Sequence, residues 1–462
     1  MTIQEILHQA ASPQQTITML KNKTIYVPTW KGELDKQYYP HMHEVATDAD
    51  YHDKFKKGKR ERVSVITYGW QRLAVKRMSE LMFGIPVKRV YSPQNEAEKM
   101  ASQLIEAIYL KNRIDSVNLE RSKQLFASCE CVTIWFAQDV PTVYAGEKSL
   151  LKLRCRSFSP MKGDALYPLF DEYDDLIALS VEHYCQEVVG GMKQTVTYFD
   201  TYTANEHICW QTKRKEAVEL LREQITINKI SGVYIHRYKP IWEDRSGNVS
   251  EAEWTMSRTG NFIRKNSRPT FVIYSDNNVR KGGENTDDNA GRSIIRLGKD
   301  DKAGYATWTQ ANESVKFYIN EIKHNFFSEL QLPDMSMDNM KETPMSGESR
   351  KMLFIDAQMK VTDEAGIWYD MLQREFNVIR EYAKIMFPKY AAAFESLQVK
   401  MIISPFQIHD EKETVETLGT AVNTGISSKK TAIARLGWVE DVDEEIQQIE
   451  REQTADIFEP TE

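Results

Sequence analysis

Apolar residues recur at three- to five-residue steps between Lys56 and Gly84, where Val63, Ile66, Trp70, Leu73, Met78 and Leu81 form the stripe of an amphipathic helix. Gly84 and Pro86 end it. A second helix is expected from Pro93 to Lys111 through Met100, Leu104 and Ile108, and Asp115 is placed to cap a third that ends near Ala127. The period then drops to two. Leu151, Leu153 and Cys155 alternate with Lys152, Arg154 and Arg156, and Ile177, Leu179, Val181, His183 and Cys185 repeat the pattern of a half-buried strand. Segments 131–136, 194–199 and 207–211 extend that sheet, with Gly190 and Gly191 as a turn, so residues 130–238 read as mostly β.

Beyond this region a helical pattern returns from Trp242 to Asn266 through Val249, Trp254, Met256 and Phe262, interrupted by Gly247 and Gly260. A short β-rich insert follows: RPTFVIYSD, the loop KGGENTDDNAGR, then SIIRLG and YATWT. Asn312 is placed to cap a helix to Leu330 with Val315, Ile319, Ile322 and Phe326 on one stripe, and Pro333 stops it. Residues 333–345, PDMSMDNMKETPM, have no period. They give way at Ser346 to a helix of about 40 residues, roughly 60 Å long. After Pro388 short helices are separated at Pro405, Gly425 and Gly437, with Ser427 or Ser428 as a cap, and the tail is rich in carboxylates.

Composition narrows the class. A chain of 462 residues, 41% hydrophobic and 27% charged, has the make-up of a folded protein of several regions. Its net charge of -7 gives no global reason to clamp a phosphate backbone, so contact with nucleic acid must be local or weak. Cys129, Cys131, Cys155, Cys185 and Cys209 fall at strand-like positions, and an odd count argues for buried thiols in a reducing compartment over a disulfide framework. Nothing approaches the roughly 20 apolar residues of a membrane span, and the first residues lack the pattern of a leader.

The search for chemistry yields little. There is no Walker-type phosphate loop. His41, His43 and His52 with Asp48, Asp50 and Asp53 offer metal-ligating side chains, but a solvated loop accounts for them better. Asp171, Glu172, Asp174 and Asp175 have the carboxylate density of a two-metal nuclease, at a spacing that suits a surface turn. Ser346 in MSGES lacks the elbow of a serine hydrolase and reads as a helix cap. The basic run Lys56, Lys57, Lys59, Arg60 and Arg62 reads as a helix start facing solvent, nucleic acid or an acidic neighbour. The expectation is no catalytic residues, no metal and no cofactor.

The order of elements and several strings resemble the portal protein family of tailed phages, of the siphophage type. The strongest stretch is YATWTQANESVKFYINEIKHNFFSELQLPDMS followed by SGESRKMLF, with Trp308, Pro333, Asp334, Ser336, Ser346, Gly347 and Lys351 at the positions of the family's strand, stem helix, turn and long-helix start. NKISGVYIHRYKPIWED, RPTFVIYSD and GISSKKTAIARLGWVEDVDEEIQQIEREQ resemble the strand before the first stem helix, the strand into the clip and the closing helices. Arg350 departs from the family's usual leucine, and the clip loop is long and glycine-rich.

The resemblance implies an α+β portal fold: a wing over 1–241, helical and then β-rich, a stem helix over 242–266, and a clip over 267–310. A second stem helix would span 311–332, a tunnel loop 333–345, a long wing helix 346–400 and a crown 401–462. It implies a homo-oligomeric ring, dodecameric in the family's virions, that is assembled in the host bacterial cytoplasm. Double-stranded DNA would pass through that ring without sequence preference. Met335, Met337, Met340 and Lys341 of the tunnel loop, with Lys316 and Lys323 of the stem, would face DNA. Arg280 and Lys281 of the clip would meet the terminase large subunit and then the head-completion adaptor, while the major capsid and scaffolding proteins would surround the ring. Two other classes stay open at this point: a metal-dependent nuclease using Asp171–Asp175, and an adaptor or scaffold protein without a channel.

Overall fold

Strand Glu130–Gln138 explains the layering, because its alternate residues are buried on opposite faces: Val132 and Ile134 look one way, Cys131 and Trp135 the other. A strand buried on both sides needs a layer on each. The computed structural model describes residues 3–10, 12–23, 54–56, 59–61, 64–189, 192–213, 216–266, 270–274, 302–306, 312–333, 354–406, 411–439 and 442–456. Its strands are β1 (Lys54–Lys56), β2 (Lys59–Glu61), β3 (Lys88–Tyr91), β4 (Glu130–Gln138), β5 (Thr142–Tyr144), β6 (Glu147–Ser149), β7 (Lys152–Phe158), β8 (Ala165–Phe170), β9 (Leu176–Val189), β10 (Met192–Tyr202), β11 (Glu206–Lys213), β12 (Glu216–Gln224), β13 (Gly232–His236), β14 (Thr270–Tyr274), β15 (Lys302–Ala306) and β16 (Val399–Ile402). The helices are α1 (Ile3–Gln9), α2 (Pro13–Lys23), α3 (Trp70–Phe83), α4 (Glu96–Lys111), α5 (Ile114–Ser128), α6 (Ser246–Asn266), α7 (Asn312–Glu329), α8 (Ile355–Met386), α9 (Ala391–Ser396), α10 (Glu411–Asn423), α11 (Lys429–Leu436) and α12 (Val442–Asp456).

Among the described residues the fold mixes helix and strand in stacked layers. A five-stranded antiparallel sheet, ordered β12-β11-β10-β9-β8, faces a three-stranded sheet, ordered β13-β4-β7, across a core of Val132, Ile134, Phe158, Leu166, Leu179, Val181 and Tyr234. The far side of the small sheet carries α3, α4, α5 and α8 over the largest core, with Trp135, Trp242, Trp368 and Phe376 at its centre. The far side of the large sheet carries α1 and α2, whose Ile6, Leu7, Ile17 and Leu20 pack on Phe199, Ile208 and Trp210. Lys21 pins them through Glu182, Nζ to Oε1 at 2.8 Å.

The long helix α8 has 32 residues, about 48 Å at the usual rise. Its buried positions Val361, Ala365, Trp368, Leu372, Phe376, Ile379 and Ala383 recur every three or four residues. It is tied down by one buried ionic contact. Arg121 of α5 makes a bidentate pair with Glu375, Nη1 to Oε1 at 2.7 Å and Nη2 to Oε2 at 2.8 Å, and Trp135 Nε1 donates to the same carboxylate at 3.1 Å.

Several sequence expectations change. The helix expected from Lys56 begins at Trp70; residues 54–56 and 59–61 are strands of a hairpin, and 64–69 are neither helix nor strand. The basic run is therefore not a helix start. The third helix is entered through Arg113 in a left-handed conformation with φ of 50°, and Asp115 lies in the first turn. Cys129 is no strand residue but the left-handed C-cap of α5, φ 66°, so it shares no strand face with Cys131. Burial pushes the thiols of Cys129, Cys131 and Cys155 up to about 12, as inert structural cysteines require. The described part of the long helix starts at Ile355, with Phe354 before it making no side-chain cap; Ser346, expected to open it, lies outside the described residues with Gly347 and Lys351. Gly247 and Gly260 do not interrupt α6, and β12, which the alternation gave no sign of, forms the edge of the large sheet. Ser428 caps α11 as expected, accepting from the Thr431 amide at 3.1 Å.

Candidate functional site: an antiparallel helix pair carrying a β-hairpin

Helices α6 and α7 pack side by side in opposite directions, and the hairpin β14–β15, with Thr270 opposite Ala306 and Tyr274 opposite Lys302, belongs to the chain between them. The pair is rooted at one end. Trp242, Val249 and Ala252 before and within α6, and Phe326 and Phe327 of α7 with Leu330 just after it, all enter the main core. Trp70 meets Phe326 with ring centroids 5.7 Å apart, and the Arg77 guanidinium lies 4.4 Å from the Phe327 ring. Arg245 pairs with Glu329 across the root, and Tyr318 donates to Glu251 Oε1 at 3.2 Å further along.

Away from the root the pair emerges from the body. On α7, Phe317 is 67% and Tyr318 46% exposed; on α6, Trp254 is 40% and Ile263 50% exposed. Apolar side chains of this size gain when a partner covers them. The Arg258 guanidinium lies 4.4 Å from the Trp254 ring and covers part of that indole.

Residues 64–68 hold α6 by an unusual attachment. Ser64 N donates to Asn261 Oδ1 at 2.6 Å, Ile66 N to Ser257 Oγ at 2.9 Å, and Tyr68 N to Glu253 Oε1 at 2.7 Å. The Ser257 hydroxyl donates in turn to the Ile66 carbonyl at 3.3 Å. Two extended residues advance about 6.6 Å and four helical residues about 6.0 Å, so alternate amides of the strip meet every fourth side chain of the helix. A Cβ at Gly260 would stand 3.4 Å from Ser64, an ordinary van der Waals contact, so the strip does not depend on glycine there. Burial, and then the charge of Glu253, raise the pKa of Tyr68 above its ordinary value.

Of the residues singled out from sequence, Lys316 lies exposed on α7, and Lys323 is half-buried there with a contact of its own. Met335, Met337, Met340, Lys341, Arg280, Lys281 and the three histidines His41, His43 and His52 lie outside the described residues. Asp171, Glu172, Asp174 and Asp175 form the turn between β8 and β9. Asp171 Oδ1 accepts the amides of Tyr173 and Asp175, each at 2.9 Å, which spends the carboxylate on the turn. Among the described residues no group of three His, Cys, Asp or Glu side chains is placed to hold a metal ion. No described helix is long and apolar enough to cross a membrane. Glu253, Ser257 and Asn261 went unnoticed in the sequence, although three hydrogen-bonding side chains at steps of four along one helix were the available signal.

No curated protein matches the chain. Among solved structures it is similar to a chain of "Neck of empty GTA particle computed with C6 symmetry", at 9% identity, covering 89% of this chain and 95% of that one with a TM-score of 0.43. It is also similar to a chain of "Virion of native gene transfer agent (GTA) particle", at 10% identity, covering 89% and 94% with a TM-score of 0.40. The family described as phage portal protein, SPP1 Gp6-like, matches residues 30–457, nearly the whole length. A match of that extent is a shared chain more than a shared motif, and the protein therefore belongs to the phage portal protein family, a structural and non-enzymatic subunit of the capsid portal vertex of the virion.

Proposed function

We propose that α6 and α7 are the stem of the portal ring, with residues 267–310 as its clip, 333–345 as its tunnel loop, 1–241 and 346–400 as its wing and 401–462 as its crown. The observation that carries this reading is the exposure of four large side chains on a rooted helix pair: Trp254, Ile263, Phe317 and Tyr318 are each 40% exposed or more in one subunit, and neighbouring copies in a closed ring would cover them. The portal's conduit then passes double-stranded DNA during packaging and ejection. A duplex must slide, and each phosphate neutralised adds affinity, so a net charge of -7 and few facing cations suit a low-friction wall. Lys316, Lys323 and Lys341 make weak, sequence-independent phosphate contacts, while Met335, Met337 and Met340 offer soft apolar surface. Arg280 and Lys281 dock the terminase large subunit and later the head-completion adaptor, and the ring, dodecameric in the virion, seats among major capsid and scaffolding proteins.

The test is direct. Purified protein examined by sizing chromatography and negative-stain imaging is expected as a large ring with a central hole; a persistent monomer, or a ring without a hole, overturns the conduit. Packaging and retention of DNA that are unchanged in Lys341→Ala overturn the role given to that cation.

A further inference from the structure

Between the two sheets lies an open cavity of about 500 Å³ whose polar wall is built by β9, β10, β11 and β12. At that wall His207 of β11 has a carboxylate at each ring nitrogen: Nδ1 lies 2.8 Å from Glu223 Oε1 of β12, and Nε2 lies 3.2 Å from Asp200 Oδ1 of β10. The Tyr202 ring stacks on the imidazole at 4.3 Å with 2° between planes, which fixes the ring's orientation. A neutral imidazole has one N–H and one lone pair, so it can satisfy one carboxylate and must repel the other. Only the imidazolium fits both.

We propose that His207 is a protonation-dependent clasp that holds the end of the edge strand β12 onto the large sheet. His207 and Glu223 are direct cross-strand partners, and the register between β11 and β12 shifts at Cys209/Trp210, so Leu221–Gln224 pair as a short block beyond the irregularity. The opposite end of β12 is held by other means, with Ala217 packed into the α1–α2 cluster. The short block has little else: its outer edge is unpaired and most of its side chains are exposed. Among the described contacts it is also tied by Arg222, whose Nη1 lies 3.1 Å from Glu206 Oε2 and whose Nε and Nη2 each lie 2.9 Å from the Glu219 carboxylate, and just beyond it the Ile225 amide donates to the Asn205 carbonyl at 2.6 Å.

Asp200 Oδ2 also faces His183 Nδ1 of β9 at 3.4 Å, and burial, opposed by Asp200, lowers the pKa of that histidine. Arg156 of β7, Glu187 of β9, Cys209 of β11 and Tyr382 of α8 line the same cavity. From the opposite face His8 of α1 reaches Glu206 at 3.3 Å. For His207 burial works against the proton, and the bonds to Asp200 and Glu223 outweigh it, so its pKa lies above 6.5. The sign follows: the clasp is complete below the ordinary value and is lost as pH rises through the elevated one.

The experiment is hydrogen exchange of the full-length protein read by mass spectrometry on peptides spanning residues 216–225, corrected for intrinsic rates, from about pH 6 to about pH 9. Protection of Leu221–Gln224 is expected to fall about tenfold or more as pH rises, the factor that loss of one hydrogen bond between charged groups represents. In His207→Gln, whose amide donates one bond at every pH, the fall should vanish, and in Glu223→Gln it should shrink. A pH-independent wild type overturns the clasp. So does a fall of the same size in His207→Gln, which would point to His8 instead.

Discussion

Replacing Glu375 by glutamine should destabilise the fold more than any exposed substitution in the chain, and the structure says by how much. Arg121 and Glu375 are both fully buried, and the carboxylate takes two hydrogen bonds from the guanidinium and a third from Trp135 Nε1. The amide keeps one acceptor and turns an N–H₂ group toward donors, leaving a cation in the core without its counter-charge. Removing one partner of such a pair costs about 3–5 kcal/mol. With a urea slope near 3 kcal/mol/M, the unfolding midpoint should fall by roughly 1 to 2 M, followed by near-ultraviolet circular dichroism of the buried tryptophans. The double variant Arg121→Met with Glu375→Leu removes both charges and leaves Trp135 Nε1, Asn118 and Thr133 as the groups seeking partners, at about 1–3 kcal/mol each when wholly unsatisfied. It should be more stable than Glu375→Gln. A single variant within about 1 kcal/mol of wild type, or a double variant as damaged as the sum of the singles, would refute the reasoning.

Other substitutions probe other layers. Gly232→Val should cost about 1–3 kcal/mol of overpacking in thermal unfolding, since a Cβ there stands 2.5 Å from Leu179 Cδ2 and 2.8 Å from Ile134 Cδ1 between the sheets. Ser257→Ala removes one rung between the strip and α6, so about 1 kcal/mol of stability should go, and limited proteolysis should cut sooner near residues 62–66. Phe317→Asp, on an exposed position, should leave monomer unfolding within about 0.5 kcal/mol of wild type while shifting the sizing profile from ring to subunit; an unchanged ring would remove Phe317 from the interface.

The readable parts of the sequence were those where one face of an element meets a core. Leu179, Val181 and His183 alternate because β9 lies between a core and another layer, and the stripe of α8 was visible for the same reason. The failures have physical causes as well. EAVELLREQ is composed of good helix formers, and only pairing with β11 makes it a strand, which no local pattern announces. Val63 and Ile66 happen to continue the spacing of α3, yet Ile66 belongs to a strip fastened to α6, a partner nearly two hundred positions away. The helix pair itself was legible through its apolar stripes, whereas the polar rungs on α6 acquire meaning only once that distant strip is seen.

The three rungs also fix an angle. A helix turns about 100° per residue, so Glu253, Ser257 and Asn261 drift slowly around the axis, and the strip follows them like a rail laid along a gentle spiral. Rolling α6 about its own axis would unhook all three amides together. A subunit built this way keeps the same side chains of its helix pair pointed at whatever lies across from them.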